Sequence, residues 1–120
     1  MNLSAKEIKP YKDKDFKSLE RLAQKHFNSF IRRRDMNTDK VSFTCISCGA
    51  VKPISKMHAG HFYSSGHYPI LRFHEDNVNG QCHRCNRHLH GNLIGYRERL
   101  VKKIGQERMC MLEHLAQRKR

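Results

Sequence analysis

Acidic side chains are scarce in this sequence. Its 120 residues carry 11 Asp and Glu against 24 Lys and Arg, for a net charge of +13. Small soluble domains usually lie within roughly 2 to 8 charges of neutrality, so the excess points to a polyanionic partner. Long apolar runs are missing too. Nothing approaches the roughly 18 consecutive apolar residues of a spanning helix, and mean hydropathy is −0.81. The opening MNLSAKEIKP has no apolar stretch of the signal-peptide kind. These absences predict a cytoplasmic protein with no membrane partner. In that compartment the five cysteines are expected as metal ligands or free thiols, not disulfides. Repeats and low-complexity segments are also lacking.

A chain of this length forms one compact domain with a modest core, for which a metal staple is useful. Three parts are expected within it: a basic helical arm at 1–40, a central unit at 41–105, and a basic C-terminal helix at 106–120. Residues 1–40 hold 11 basic and 6 acidic side chains, 41–90 hold 5 and 2, and 91–120 hold 8 and 3. The centre therefore lies between two more basic flanks, a layout suited to gripping a phosphate backbone.

Helical periodicity runs from about residue 13 to 34. Phe16, Leu19, Ala23, Phe27, Phe30 and Ile31 recur at steps of three and four, which predicts a core-facing stripe. Asp13 or Asp15 can cap its start. Arg32, Arg33 and Arg34 end it, either as a solvated terminus or as phosphate contacts. Residues 41–46 and 51–54 read as a strand and its return, 57–73 as a hairpin whose second strand is YPILRF. A helical period follows Cys85 and is interrupted at Gly91-Asn92. Gly105 ends it, and 106–119 forms a last helix with Cys110 on its apolar side.

Two Cys-x-x-Cys pairs, Cys45/Cys48 and Cys82/Cys85, supply four thiolates. Tetrahedral zinc takes four such ligands, and paired knuckles are the usual way to provide them. One structural zinc per chain is expected. The interval between the pairs exceeds the roughly 15–20 residues of common ribbons, so a substantial insert lies between the knuckles. A redox role fits poorly, because thioredoxin-like motifs occur singly within a βαβ pattern.

With the cysteines assigned, a second set of ligand types remains. His61 ends a strand, Asn77 follows a turn, and Asn86 and His90 stand four apart after Cys85, a spacing that shares a face on a helix. This order resembles the HNH, or ββα-metal, nucleases. The resemblance implies an α+β fold: an HNH-like ββα-metal core with a four-cysteine zinc knuckle pair, flanked by N- and C-terminal helices. It implies His61 as general base, Asn86 and His90 as ligands of a catalytic Mg2+ or Mn2+, and Asn77 as the residue that orients the loop. The chemistry is coherent. A neutral imidazole can take a proton from water, and a cation offsets charge on the phosphate. Many such sites place an acid or histidine just before the base, where this chain has Gly60. His58 fills that role only if Gly60 permits a bulge, since a regular strand points His58 and His61 to opposite faces. Otherwise His67, His74, Glu75, Asp76 or water completes the shell, or His61 binds metal and another group is the base.

CISCG, AGHFYSSG, LRFHEDNVNGQCHRCNRHLHGN and IGYRERLVKKIG are similar to the phage NinG (Rap) recombination nucleases over about residues 15–115. That resemblance implies cleavage of branched DNA, D-loops and Holliday junctions, by a phage or prophage protein in its bacterial host. Arg32, Arg33, Arg34, Arg84 and Arg87 are the expected DNA contacts, and His83 and His88 are surface or phosphate-contacting residues. Symmetric cutting implies a homodimer, with the first and last helices as candidate surfaces. The competing reading is a non-catalytic zinc-binding DNA or RNA adaptor. The absence of C2H2 spacing and of an RNA-binding aromatic signature weighs against it.

Overall fold

The structure, a computed structural model, describes residues 15–118. Helix α1 spans Phe16–Arg34, and Asp15 caps it by accepting a 2.7 Å hydrogen bond from the Ser18 amide. Asp13, the other candidate cap, lies outside the described residues. Arg32, Arg33 and Arg34 occupy the last turn, where positive charge suits the helix dipole. The expected apolar stripe is buried only at its far end. Ile31 is fully buried, whereas Phe16 is 77% and Phe30 41% exposed. Phe27 finds a partner in Phe73, edge to face at 5.6 Å.

Strand β1 (Ser42–Thr44) pairs antiparallel with β2 (Val51–Pro53), as the sequence predicts. The Cys45–Gly49 turn closes this hairpin. Cys45 N–H donates to Ala50 O and Gly49 N–H to Cys45 O, both at 2.9 Å. Gly49 takes φ +78°, the left-handed conformation that glycine adopts without cost.

A second hairpin joins β3 (His58–His61) to β4 (Val78–Gln81) in unbroken register, from His58 opposite Gln81 to His61 opposite Val78. The expected YPILRF strand does not form. Pro69–Leu71 is instead a single 3-10 turn within a loop. Pro69 has no N–H to give to a ladder, and the Leu71 carbonyl is taken by the buried Asn77 side chain at 3.0 Å.

After β4 the chain makes one wide turn over Arg84–His88. Helix α2 (Leu93–Ile104) follows, and α3 (Gln106–Gln117) begins immediately after Gly105. Ile46, Leu71, Tyr96, Leu100, Met109, Leu112 and Ala116 form the larger core. The last helix thus packs into the body of the protein. Phe43, Cys45, Met57, Cys82 and Cys85 form the smaller core. Cys110, expected inside, is exposed beside Gln106. Among the described residues no helix is long and apolar enough to cross a membrane.

Between the two cores lies a polar hub. Asp35, with a side chain only 9% exposed, pairs with Arg34 at 2.7 Å and Lys103 at 2.8 Å. It also accepts from the Gly80 amide at 2.7 Å. Lys103 reaches on to Asn79 Oδ1 at 2.6 Å, and Asn79 Nδ2 donates to the Tyr96 oxygen at 3.2 Å. Tyr96 O–H in turn donates to Gly60 O at 2.6 Å. This chain of contacts joins the end of α1 to β4, α2 and β3. Burial pushes the Asp35 pKa up, but the Arg34 hydrogen bond, the Lys103 charge and the Gly80 amide outweigh it and leave it below 3.8.

Because the folded pKa is the lower one, this carboxylate stabilises the fold above its ordinary titration range, and the contribution is lost as pH falls through the folded value. Asp35→Asn should therefore destabilise the protein at pH 7 by about 1–3 kcal/mol, leaving two partly buried cations without their partner. Thermal melts of wild type and variant should converge only as pH falls below 3.8. A gap that persists unchanged in acid would show that Asp35 does not act through its charge.

Candidate functional site

The four sulfurs of Cys45, Cys48, Cys82 and Cys85 all lie within 4.8 Å of one another. Cys48 Sγ and Cys82 Sγ are 3.9 Å apart. The first hairpin turn supplies one pair, and the exit of β4 the other. Cys45, Cys82 and Cys85 are buried, while Cys48 is exposed. Polar hydrogens point at the sulfurs. The amides of Ser47 and Cys82 approach Cys45 Sγ at 3.4 and 3.3 Å, and Asn92 Nδ2 approaches Cys85 Sγ at 3.4 Å. Burial pushes the Cys45 thiol up, but backbone donors from Cys82, Cys48 and Ser47 outweigh it and bring it to about 7. Burial raises Cys82 and Cys85, and the nearby Cys45 charge raises them further. The quartet could hold a metal ion such as zinc, which would take the four sulfurs as thiolates.

A second group surrounds His61, at the end of β3. Its Nε2 lies 2.9 Å from the Arg72 carbonyl oxygen. A carbonyl can only accept, so Nε2 carries the proton and Nδ1 keeps its lone pair. Burial lowers the His61 pKa, and the Arg72 charge adds to this against the raising effect of the carbonyl. The ring is therefore neutral at pH 7. His61 lines a cavity of about 310 Å3 with Phe62, Tyr63, Tyr68, Leu93 and His90.

Asn77 is fully buried and holds the loop that carries this cavity. Its Oδ1 accepts from the Tyr63 amide at 2.8 Å, and its Nδ2 donates to Tyr63 O and Leu71 O, both at 3.0 Å. The Phe62 amide donates to the Asn77 carbonyl at 2.9 Å. One side chain thus fixes both ends of the stretch between His61 and the Arg72 carbonyl that holds its ring. Glu20 and Gln24 of α1 bind the Arg72 guanidinium at 3.1 and 2.7 Å.

Asn86 and His90 do not share a helix face. The turn at Arg84–His88 ends at Leu89, and His90 takes φ +50°. His90 reaches the His61 cavity, while Asn86 is not among its lining residues. His58 does not join His61. The unbroken β3 register leaves no bulge, so the two side chains point to opposite faces. His58 instead meets His83, with Nε2 and Nδ1 3.3 Å apart. Gly60 serves a different purpose from a bulge. A Cβ there would lie 1.9 Å from Gln81 Oε1, and Gln81 is fully buried. Its Nε2 is tied to Ser47 Oγ at 2.8 Å and Gly91 O at 2.7 Å. His67, His74, Glu75 and Asp76 do not line the His61 cavity. His67 bonds Ser64, His74 accepts from the Asp76 amide, and Asp76 pairs with Arg108.

Of the predicted DNA contacts, Arg32, Arg33, Arg84 and Arg87 are exposed. Arg34 is not available. Its guanidinium donates to Asp35, Glu75 O, Val78 O and Asn79. Arg72, Gln81, Tyr96 and Lys103 escaped the sequence reading. One signal for part of this was present: Asn77, Asn79 and Gln81 recur at strand spacing, a polar row on a strand that proves to be buried.

These features define an α+β protein of two short antiparallel hairpins and three α-helices among the described residues, clamped by a cysteine quartet. The chain belongs to the NinG family: the family described as Bacteriophage Lambda NinG protein matches residues 2–120. It is 42% identical over 91 residues to "Protein ninG" of Escherichia phage lambda, covering 76% of this chain and 42% of that protein. It is also 42% identical over 83 residues to "Protein ninG" of Salmonella phage P22, covering 69% and 38%. The chain thus spans about two fifths of the length of the curated relatives it matches. No solved structure matches it.

Two variants test the geometry. Asn77→Ala should lose about 2–4 kcal/mol, removing three hydrogen bonds of about 1 kcal/mol each, and should deprotect the Tyr63 amide in hydrogen exchange. Gly60→Ala should lose about 1–3 kcal/mol by displacing the tethered Gln81 side chain. A Gly60→Ala protein that melts like wild type would mean that Gln81 has room to move.

Proposed function

We propose that this chain is a metal-dependent DNA endonuclease of the HNH type, acting on branched recombination intermediates, with a structural zinc in the cysteine quartet. The observation that carries the reading is His61: a neutral imidazole with its protonated nitrogen fixed on Arg72 O and its other nitrogen unprotonated, in a cavity shared with His90. That is the state a general base needs at neutral pH.

In this reading His61 Nδ1 takes the proton of the attacking water. The Arg72 carbonyl holds the ring in one tautomer and orientation. Asn77 is a positioning residue that acts through the loop it ties. His90 would hold a Mg2+ or Mn2+, which supplies charge to the phosphate and the leaving oxygen. Asn86 stays a candidate ligand on the strength of the resemblance alone. The exposed Arg32, Arg33, Arg84 and Arg87 supply phosphate contacts that place the backbone without reading its sequence. The net charge of +13 favours such a partner. The branched-DNA preference and a homodimer rest on the family resemblance. Phe16 and Phe30, exposed on α1, offer apolar surface for a second copy.

The test is cleavage of a labelled four-way junction with Mg2+ or Mn2+. Wild type should cut, and His61→Ala should lose roughly 10²–10⁴-fold in rate while still binding the junction. Since the His61 pKa lies below 6.5, the rate should rise with pH only below that value and be level above it. A wild-type protein that binds the junction and never cuts with either ion leaves the adaptor reading. For the quartet, metal analysis should find about one tightly held zinc per chain. Cys82→Ser should unfold the protein, because the binding free energy of a structural zinc, about 10–16 kcal/mol, is folding free energy. A folded, zinc-free Cys82→Ser protein would remove the structural zinc from the account.

A further inference from the structure

We propose that His58 and His83 form a separate metal site, a two-imidazole chelate for a divalent transition metal such as Ni2+, Co2+ or Zn2+, with His88 at its edge. His58 Nε2 and His83 Nδ1 are 3.3 Å apart. At that distance one ring can donate to the other when no ion is bound. The same separation falls within the roughly 2.9–3.4 Å between neighbouring ligand nitrogens about 2.0–2.1 Å from one ion, from octahedral to tetrahedral geometry. The rings stand with centroids 5.2 Å apart, tilted by 43°. The His88 ring meets His83 edge on, also at 5.2 Å.

The two ligands are held by rigid parts of the fold. His58 opens β3 and lies opposite Gln81. His83 follows Cys82 of the quartet. Backbone pairing and the cysteine cluster therefore place the two backbone positions before any ion arrives, which lowers the ordering cost of a chelate. His83 is exposed and His58 half-buried, so open coordination positions face solvent. The donor set is all imidazole, which suits Zn2+, Ni2+ and Cu2+ and not Mg2+.

The charged groups acting on His58 are His83, Arg87 and Arg32. The two arginines oppose a bare dication and favour one whose open positions carry an anionic oxygen. The site is distinct from the His61 cavity, because β3 turns the two histidines to opposite faces, and it does not depend on the nuclease reading.

The experiment is calorimetric titration of Ni2+ into tag-free protein whose cysteine quartet is already loaded with zinc. His90→Ala, which lacks the ligand of the proposed nuclease metal, should take up one further equivalent of Ni2+ and give no heat with Mg2+. His83→Ala should lower the affinity by more than about a hundredfold, since losing an outer-shell partner alone costs ~10–100-fold. His61→Ala should bind Ni2+ like wild type. Retention of one zinc per chain and an unchanged melt verify that His83→Ala is folded, as expected for an exposed position. The proposal is overturned if His90→Ala takes up no further ion. It is equally overturned if His83→Ala binds Ni2+ as wild type does, or if His61→Ala abolishes binding. Junction cleavage by His83→Ala, measured alongside, reports on the nuclease reading independently.

Discussion

Four sulfur atoms brought within 4.8 Å are the constraint on which the rest of this small fold depends. Thiolates at that spacing repel one another, so the quartet is suited to hold a cation such as zinc. Its structural effect is to bind a turn of the first hairpin to the exit of the second. Ser47, between the first two cysteines, donates to Gly91 O at 2.8 Å. The Gly95 position lies against the Ser47 carbonyl, where a Cβ would come within 2.1 Å. The start of α2 is thus seated directly on the first knuckle.

The remaining coherence comes from polar side chains in places where larger domains use apolar ones. Asn77, Asn79 and Gln81 are all buried in or beside β4, and each links the strand to a different neighbour. Asn77 reaches the 63–71 loop, Asn79 reaches α2, and Gln81 reaches both the first knuckle and the 88–92 turn. With Asp35 bridging Arg34 and Lys103, the hairpin is surrounded by specified contacts instead of by volume-filling ones. Such networks fix one arrangement when fully satisfied. Gln81 Oε1 is a buried polar atom with no partner among the described residues, and it is the one packed against Gly60.

What could be read from the chain follows from how local the causes were. The cysteine pairs, the first hairpin, the Asp15 cap and the stop at Gly105 rest on residues close in sequence, and all four were legible. The extent of the α1 stripe was not. Periodicity shows that Phe16 and Phe30 share a face with Ile31, but it cannot show that the fold ends before it covers them. The YPILRF strand failed because an asparagine six residues beyond Leu71 captures its carbonyl, a side-chain contact that strand propensity does not register. The pairing of Asn86 with His90 assumed a continuous helix. Gly91 and Asn92 signalled the break, while the left-handed turn at His90 itself had no sequence marker. His61 and Asn77 come together around one loop in the structure, and that much of the candidate site was legible; the carbonyl of Arg72 was not, since a backbone acceptor has no signature in side-chain chemistry.

His90, Gly91 and Asn92 form three successive residues with positive φ, at 50°, 90° and 45°. For the two non-glycine positions this costs of order 1–3 kcal/mol each, and the bend persists because other groups over-determine it. The Gly91 amide is held by Cys85 O at 2.7 Å, its carbonyl by Ser47 and Gln81, and Asn92 by the sulfur of Cys85. All of these restraints lead back to the knuckles. The position of His90 in the His61 cavity is consequently set by contacts to the knuckle residues and Gln81. A metal ion held by the quartet would thereby bear on the geometry of a cavity that it never touches.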